Sequence, residues 1–117
     1  MTDKAIRVQL PGGDLYAPAI HKAAAKTAAR SDLPKKAIAS LNSMVTASVA
    51  LLNSGSATMI SLEMLVHEDT VTVTLVGKGC ASPSKKMATT LSKLGAKKTR
   101  SFDHSTTKSA CTIHFEI

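Results

Sequence analysis

Aromatic side chains are nearly absent from this sequence: 117 residues contain no Trp, one Tyr and two Phe. That excludes a core built on rings. It also argues against modules that stack bases on aromatic platforms. Cysteine is equally scarce. Cys80 and Cys111 are too few for a disulfide framework and read most simply as two isolated thiols in a reducing compartment, the alternative being a single bridge between them. Acidic residues are outnumbered, 8 Asp and Glu against 15 Lys and Arg, for a formal charge of +7. No carboxylate occurs in residues 33–62, and none lies between Thr70 and Phe102. Residues 1–4 are polar with no apolar stretch behind them, so no secretory signal is expected. The longest apolar-leaning run, residues 45–52, is broken by Thr46 and Ser48 and is too short to span a membrane. These absences lead to the expectation of a cytoplasmic protein with no membrane partner.

What remains is sufficient for one domain. The chain is 44% hydrophobic, almost all of it Ala, Val, Leu, Ile and Met, which is enough to bury a core. Ile6, Val8 and Leu10 alternate with Arg7 and Gln9 as in a half-buried strand, stopped by Pro11, Gly12 and Gly13. Residues 17–30 are Ala-rich, with Ile20, Ala23, Ala24, Thr27 and Ala28 on one helical face. Ser31 and Asp32 before Leu33 and Pro34 signal a second helix start. This helix carries Ile38, Leu41, Val45, Ser48 and Leu52 on its inner stripe and ends at Asn53, Ser54 and Gly55.

Two strands with a His67–Glu68–Asp69 turn between them form a predicted hairpin. The first places Ile60, Leu62, Met64 and Val66 on one side; the second places Val71, Val73 and Leu75, with Gly77 and Gly79 just beyond it. Ser82 and Pro83 read as a cap and first position of a third helix, with Met87, Leu91 and Leu94 at helical spacing and a stop at Gly95. A weak strand is expected over residues 98–102, a polar connection over 103–109, and a clear strand through Cys111, Ile113, Phe115 and Ile117. The predicted order is β-α-α-β-β-α-(β)-β. It implies an α+β, two-layer sandwich: a mixed, mostly antiparallel sheet of four to five strands with three helices on one face.

Three stretches carry a family likeness. Residues 6–29 (IRVQLPGGDLYAPAIHKAAAKTAA) resemble the start of the anti-sigma-factor serine kinases, where a strand ending in Leu-Pro leads into a long helix. Residues 33–55 (LPKKAIASLNSMVTASVALLNSG) are similar to that family's second helix. Residues 69–79 (DTVTVTLVGKG) look like its strand and two-glycine turn. The family belongs to the histidine-kinase-like ATPase superfamily, so the resemblance implies that superfamily's α/β sandwich. It also implies a bacterial partner-switching circuit that regulates transcription, with a sigma factor or antagonist-type domain as partner and a homodimer as assembly.

The chemistry that the family would bring does not follow. The family's second helix has a Glu that handles the reacting hydroxyl or water, then an Asn that ligates magnesium. Superposition puts Ala47 and Leu51 at those places. The family's Asp-x-Gly-x-Gly motif, whose Asp accepts from the adenine amino group, stands here as Leu75-Val76-Gly77-Lys78-Gly79. Gly77 and Gly79 are a vestigial turn, and the lid is missing between Gly79 and Pro83. Asn53, at a helix end, reads as a cap rather than a displaced magnesium ligand. Magnesium needs hard oxygen ligands, phosphoryl transfer needs that metal, and a Leu leaves the adenine donor unpaired. No catalytic, cofactor or metal residue is therefore expected, and neither ATP nor magnesium is the favoured ligand.

Lys78, Lys85, Lys86, Lys93, Lys97, Lys98, Arg100 and Lys108 cluster late in the chain, opposed there only by Asp103. Lys85, Lys86, Lys93, Lys97, Lys98 and Arg100 form the candidate partner-binding basic face, against the plainer reading of a solvated helix surface. His21, His67, His104 and His114 show no metal-ligand spacing, and Cys80 has no identifiable base. The reading is a non-catalytic, protein-binding regulatory domain. The alternatives are a nucleotide-binding serine-protein kinase with an atypical site and a basic nucleic-acid-binding protein.

Overall fold

Period-two and period-3.6 apolar patterns alternate along the chain, and the backbone follows them. The computed structural model describes residues 4–80, 83–107 and 109–117. Its elements are β1 (Lys4–Pro11), α1 (Ala17–Ala29), α2 (Lys35–Ser54), β2 (Met59–Val66), β3 (Val71–Lys78), α3 (Lys85–Lys98), β4 (Ser101–Thr106) and β5 (Ala110–Glu116). The class is α+β, with three helices and one five-stranded sheet in the order β1-β2-β3-β5-β4. All four strand pairings are antiparallel. Two hairpins account for β2–β3 and β4–β5, and the α1–α2 pair returns the chain to lay β2 beside β1.

One sheet face is buried. Ile60, Leu62 and Met64, then Val71, Val73 and Leu75, then Cys111, Ile113 and Phe115 point into it. α2 is the central helix of the opposite layer and packs on α1, α3 and β3, while α1 reaches β1 and α3 reaches β4. Contact on several sides explains why α2 buries Leu41, Met44, Val45, Ser48, Val49, Leu51 and Leu52, a wider surface than one stripe. By length and composition α2 could cross a bilayer, because its Ala residues extend the apolar run beyond residues 45–52. In this fold it is a core helix.

Several boundaries differ from expectation, each for a local reason. Ser31 and Asp32 do not cap α2, whose N-cap is Pro34. Ser31 Oγ instead donates to Ala28 O at the end of α1 and accepts from Leu33 N. Ser82 lies outside the described residues; the α3 cap is Ser84, whose Oγ accepts from Met87 N at 3.3 Å. Gly95 does not stop α3. A Cβ there would stand 2.7 Å from Phe102 Cγ, so the glycine admits the ring while the helix continues to Lys98. β4 begins at Ser101 rather than 98, and it takes up Asp103 to Thr106 from the expected connection, pairing Phe102 with Phe115. β3 extends through Gly77 and Lys78.

Two substitutions test this packing in opposite directions. Ser48 Oγ is buried without a hydrogen-bond partner, so Ser48→Ala should raise unfolding free energy by about 1 kcal/mol by removing an unsatisfied hydroxyl. Gly95→Ala should lower it by about 1–3 kcal/mol by overpacking Phe102. Urea denaturation of both variants checks this, and equal signs would contradict it.

Candidate functional site

The candidate site lies where the C-terminal half of α2 meets the end of β3 and the start of α3. Leu75 is fully buried and sits in register between Leu62 and Ile113, so the place of the motif Asp is a core position. Leu51 is likewise fully buried. Ala47 borders an open groove of about 370 Å³ between α2 and α3, lined also by Ala50, Lys86, Met87, Thr90 and Leu91. No carboxylate lines it.

The two glycines serve packing. A Cβ on Gly77 would come 2.9 Å from Leu52 Cδ2, so the bare backbone lets α2 rest directly on β3. Gly79 has φ +77, a left-handed conformation that favours glycine. Its N–H donates to Ser109 O at 2.7 Å and is not free to hold phosphate. Asn53 lies inside α2, one residue before its last, and Gly55 follows as the C-cap. Asn53 Oδ1 accepts from Gly13 N at 2.9 Å, which ties the β1–α1 loop to α2 instead of capping the helix. Ser54 Oγ accepts from Ser84 N at 2.9 Å and joins the end of α2 to the start of α3. Asn53, Ser54 and the Gly79 N–H are thus each committed to joining two parts of the chain.

The two thiols are free but not isolated. Cys80 and Cys111 are fully buried with their sulfurs 2.9 Å apart, and the Cys111 thiol also lies 3.1 Å from Cys80 O. Burial first, then the hydrogen bond and charge of Cys111, push the Cys80 thiol up to about 12. A thiol so disfavoured as thiolate is a poor nucleophile.

The basic residues are all exposed: Lys85, Lys86, Lys93, Lys97 and Lys98 on α3, with Arg100 just beyond. They do not form one spot. Lys86 borders the α2–α3 groove, whereas Lys97, Lys98 and Arg100 line a second hollow with Leu33, Pro34, Ala37 and Asp69 at the other end of α3. Lys78 ends β3, and Lys108 lies outside the described residues. The histidines are dispersed; His114 Nδ1 lies 2.8 Å from Thr74 Oγ1 on the open sheet face. Among the described residues no group of three or more His, Cys, Asp or Glu is arranged to hold a metal ion.

On the open sheet face one row crosses all five strands: Arg7, Glu63, Thr74, His114 and Asp103. Arg7 Nε donates to Glu63 Oε2 at 2.6 Å. Compared with known protein families and with curated proteins, the chain matches none of them. The sequence favours isolated thiols over the Cys80–Cys111 contact and does not single out the exposed pair Leu15 and Tyr16. The contact becomes visible only once the strand register pairs Cys111 with Gly77, three residues before Cys80.

The buried thiols give a pH prediction. A neutral thiol favoured in the fold contributes fully below the unfolded thiol value, near 8.5. That contribution fades as pH rises toward about 12, the folded value of Cys80. Thermal unfolding should therefore show stability falling across this window, less steeply in Cys80→Ala. Iodoacetamide should label neither thiol in the folded protein and both in urea; labelling without denaturant would contradict the buried pair.

Proposed function

We propose that this chain is a non-catalytic regulatory domain that acts by binding a protein, on a scaffold like that of the anti-sigma-factor serine kinases. Its partner is a sigma factor or an antagonist-type domain of a bacterial partner-switching circuit. The buried Leu51 and Leu75, the absence of a carboxylate at Ala47 and the committed Gly79 N–H support a domain without ATP turnover.

The observation that carries a protein partner is the β1–α1 loop. Leu15 is 81% exposed and Tyr16 37%, and these are the large exposed hydrophobics among the described residues. A scattered exposed Leu is ordinary. Here the pair is adjacent and its loop is fixed at the base. Gly12 N donates to Thr58 O at 3.0 Å, and Gly13 N donates to Asn53 Oδ1 at 2.9 Å. A preorganised apolar and aromatic anchor is what protein interfaces use for most of their binding energy.

Titration calorimetry against the sigma factors and antagonist domains of the same cell tests this. One of them should bind, and Leu15→Asp should weaken that binding at least about tenfold, the loss of a hot-spot contact, with an unchanged melting temperature. Absence of binding to every one, or binding indifferent to Leu15→Asp, would contradict the proposal.

A further inference from the structure

Lysines occur on all three helices of the helical layer. α1, α2 and α3 together carry nine lysines and not one Asp or Glu. Every exposed position on these helices is Lys, Ala, Ser, Thr or the single Pro18. Carboxylates among the described residues lie elsewhere, with Glu63, Asp103 and Glu116 on strands and the others in loops. The fold therefore keeps carboxylates off the helical layer, whereas the strands mix Glu63, Asp103 and Glu116 with Arg7 and Lys78. Lys35 and Lys36 occupy the first turn of α2, and Lys85 and Lys86 that of α3, with no acidic residue in either turn. Cations there oppose the helix dipole, at a cost of about 0.3–1 kcal/mol each, which an anionic partner would offset.

We propose that the helical layer is a nucleic-acid-binding face that grips the phosphate backbone of a duplex without regard to sequence. The composition of the face selects that partner. Protein interfaces deplete Lys and centre on apolar or aromatic anchors, and no exposed residue on the helices is a large hydrophobe. An amphipathic membrane surface needs an apolar face to insert, which is also missing. Single-strand binders need stacking rings, and these helices have no aromatic residue. Phosphate contacts, by contrast, come from Lys ammonium groups and from Ser and Thr hydroxyls, and the small Ala side chains between them let a backbone approach closely. α2 is about 30 Å long, the run of about nine base pairs of duplex at ~3.4 Å each. This inference concerns a different surface from the Leu15 loop and stands or falls separately from it.

Fluorescence anisotropy with a ~20-base-pair duplex, repeated on an unrelated sequence, tests the inference across about 50–300 mM salt. The log of affinity should fall with the log of salt at a slope of about −4 to −6, the same for both sequences. Lys86→Gln combined with Lys93→Gln should flatten the slope by about two units, whereas Lys78→Gln, off the helical layer, should leave it unchanged. The proposal is overturned by no binding at the lowest salt or by a slope the double variant does not move. It is equally overturned if polyglutamate of matched charge competes as well as unlabelled duplex, or if anionic phosphatidylserine vesicles bind more tightly than duplex.

Discussion

The contact on which the rest of the molecule depends is Leu52 of α2 resting on the backbone of Gly77 in β3, where a Cβ would come 2.9 Å from Leu52 Cδ2. It brings the central helix down onto the sheet with only glycine backbone beneath it. Once α2 is seated there, its last turn fixes two neighbours: Asn53 holds the β1–α1 loop through Gly13, and Ser54 holds the start of α3 through Ser84. Leu51 and Leu75 fill the volume behind this contact as core residues. Close packing of this kind leaves little room for partial occupancy, because interiors are as dense as organic crystals.

The same arrangement divides the surface. Antiparallel pairing turns alternate strand residues outward, so Arg7, Glu63, Thr74, His114 and Asp103 form a polar row on the open sheet face. The helices turn their lysines away from that face. The β1–α1 loop lies where the two layers meet, and its anchoring to Asn53 and Thr58 presents Leu15 and Tyr16 on a rigid base. Two chemically distinct surfaces, one apolar and small, one cationic and broad, thus follow from how a single core helix is seated.

Much of the fold was legible in the sequence, because periodicity reports which side of an element is buried. Ile60, Leu62 and Met64 alternate cleanly and lie where alternation put them, as do Val71, Val73, Leu75 and the β5 residues. Errors came where a residue type has two uses. Gly95 reads as a helix stop but serves as space for Phe102; Ser31 reads as a cap for α2 but closes α1; Asn53 reads as a cap but tethers a loop. The partners of Gly95 and Asn53 lie elsewhere in the fold, and Ser31, whose partners are local, stands between two helices and is used by the first. For the candidate site, the apolar residues Ala47, Leu51 and Leu75 were legible one by one. The commitment of the Gly79 N–H to Ser109 was not, because it required the strand register. The basic surface was half seen: α3 announced it, and the acid-free composition of α1 and α2 held the remainder.

The proposed function holds that no nucleotide binds where α2, β3 and α3 meet, a reading supported by the buried Leu51 and Leu75 and by Leu52 resting on Gly77. Thermal unfolding with and without millimolar magnesium-ATP tests it most directly. The account expects no shift in melting temperature. A ligand at about 100 times its dissociation constant stabilises by about 2.7 kcal/mol, which for a domain of this size is a rise on the order of 10 °C. A rise of that size would mean that α2 yields to admit the nucleotide, and would contradict the account.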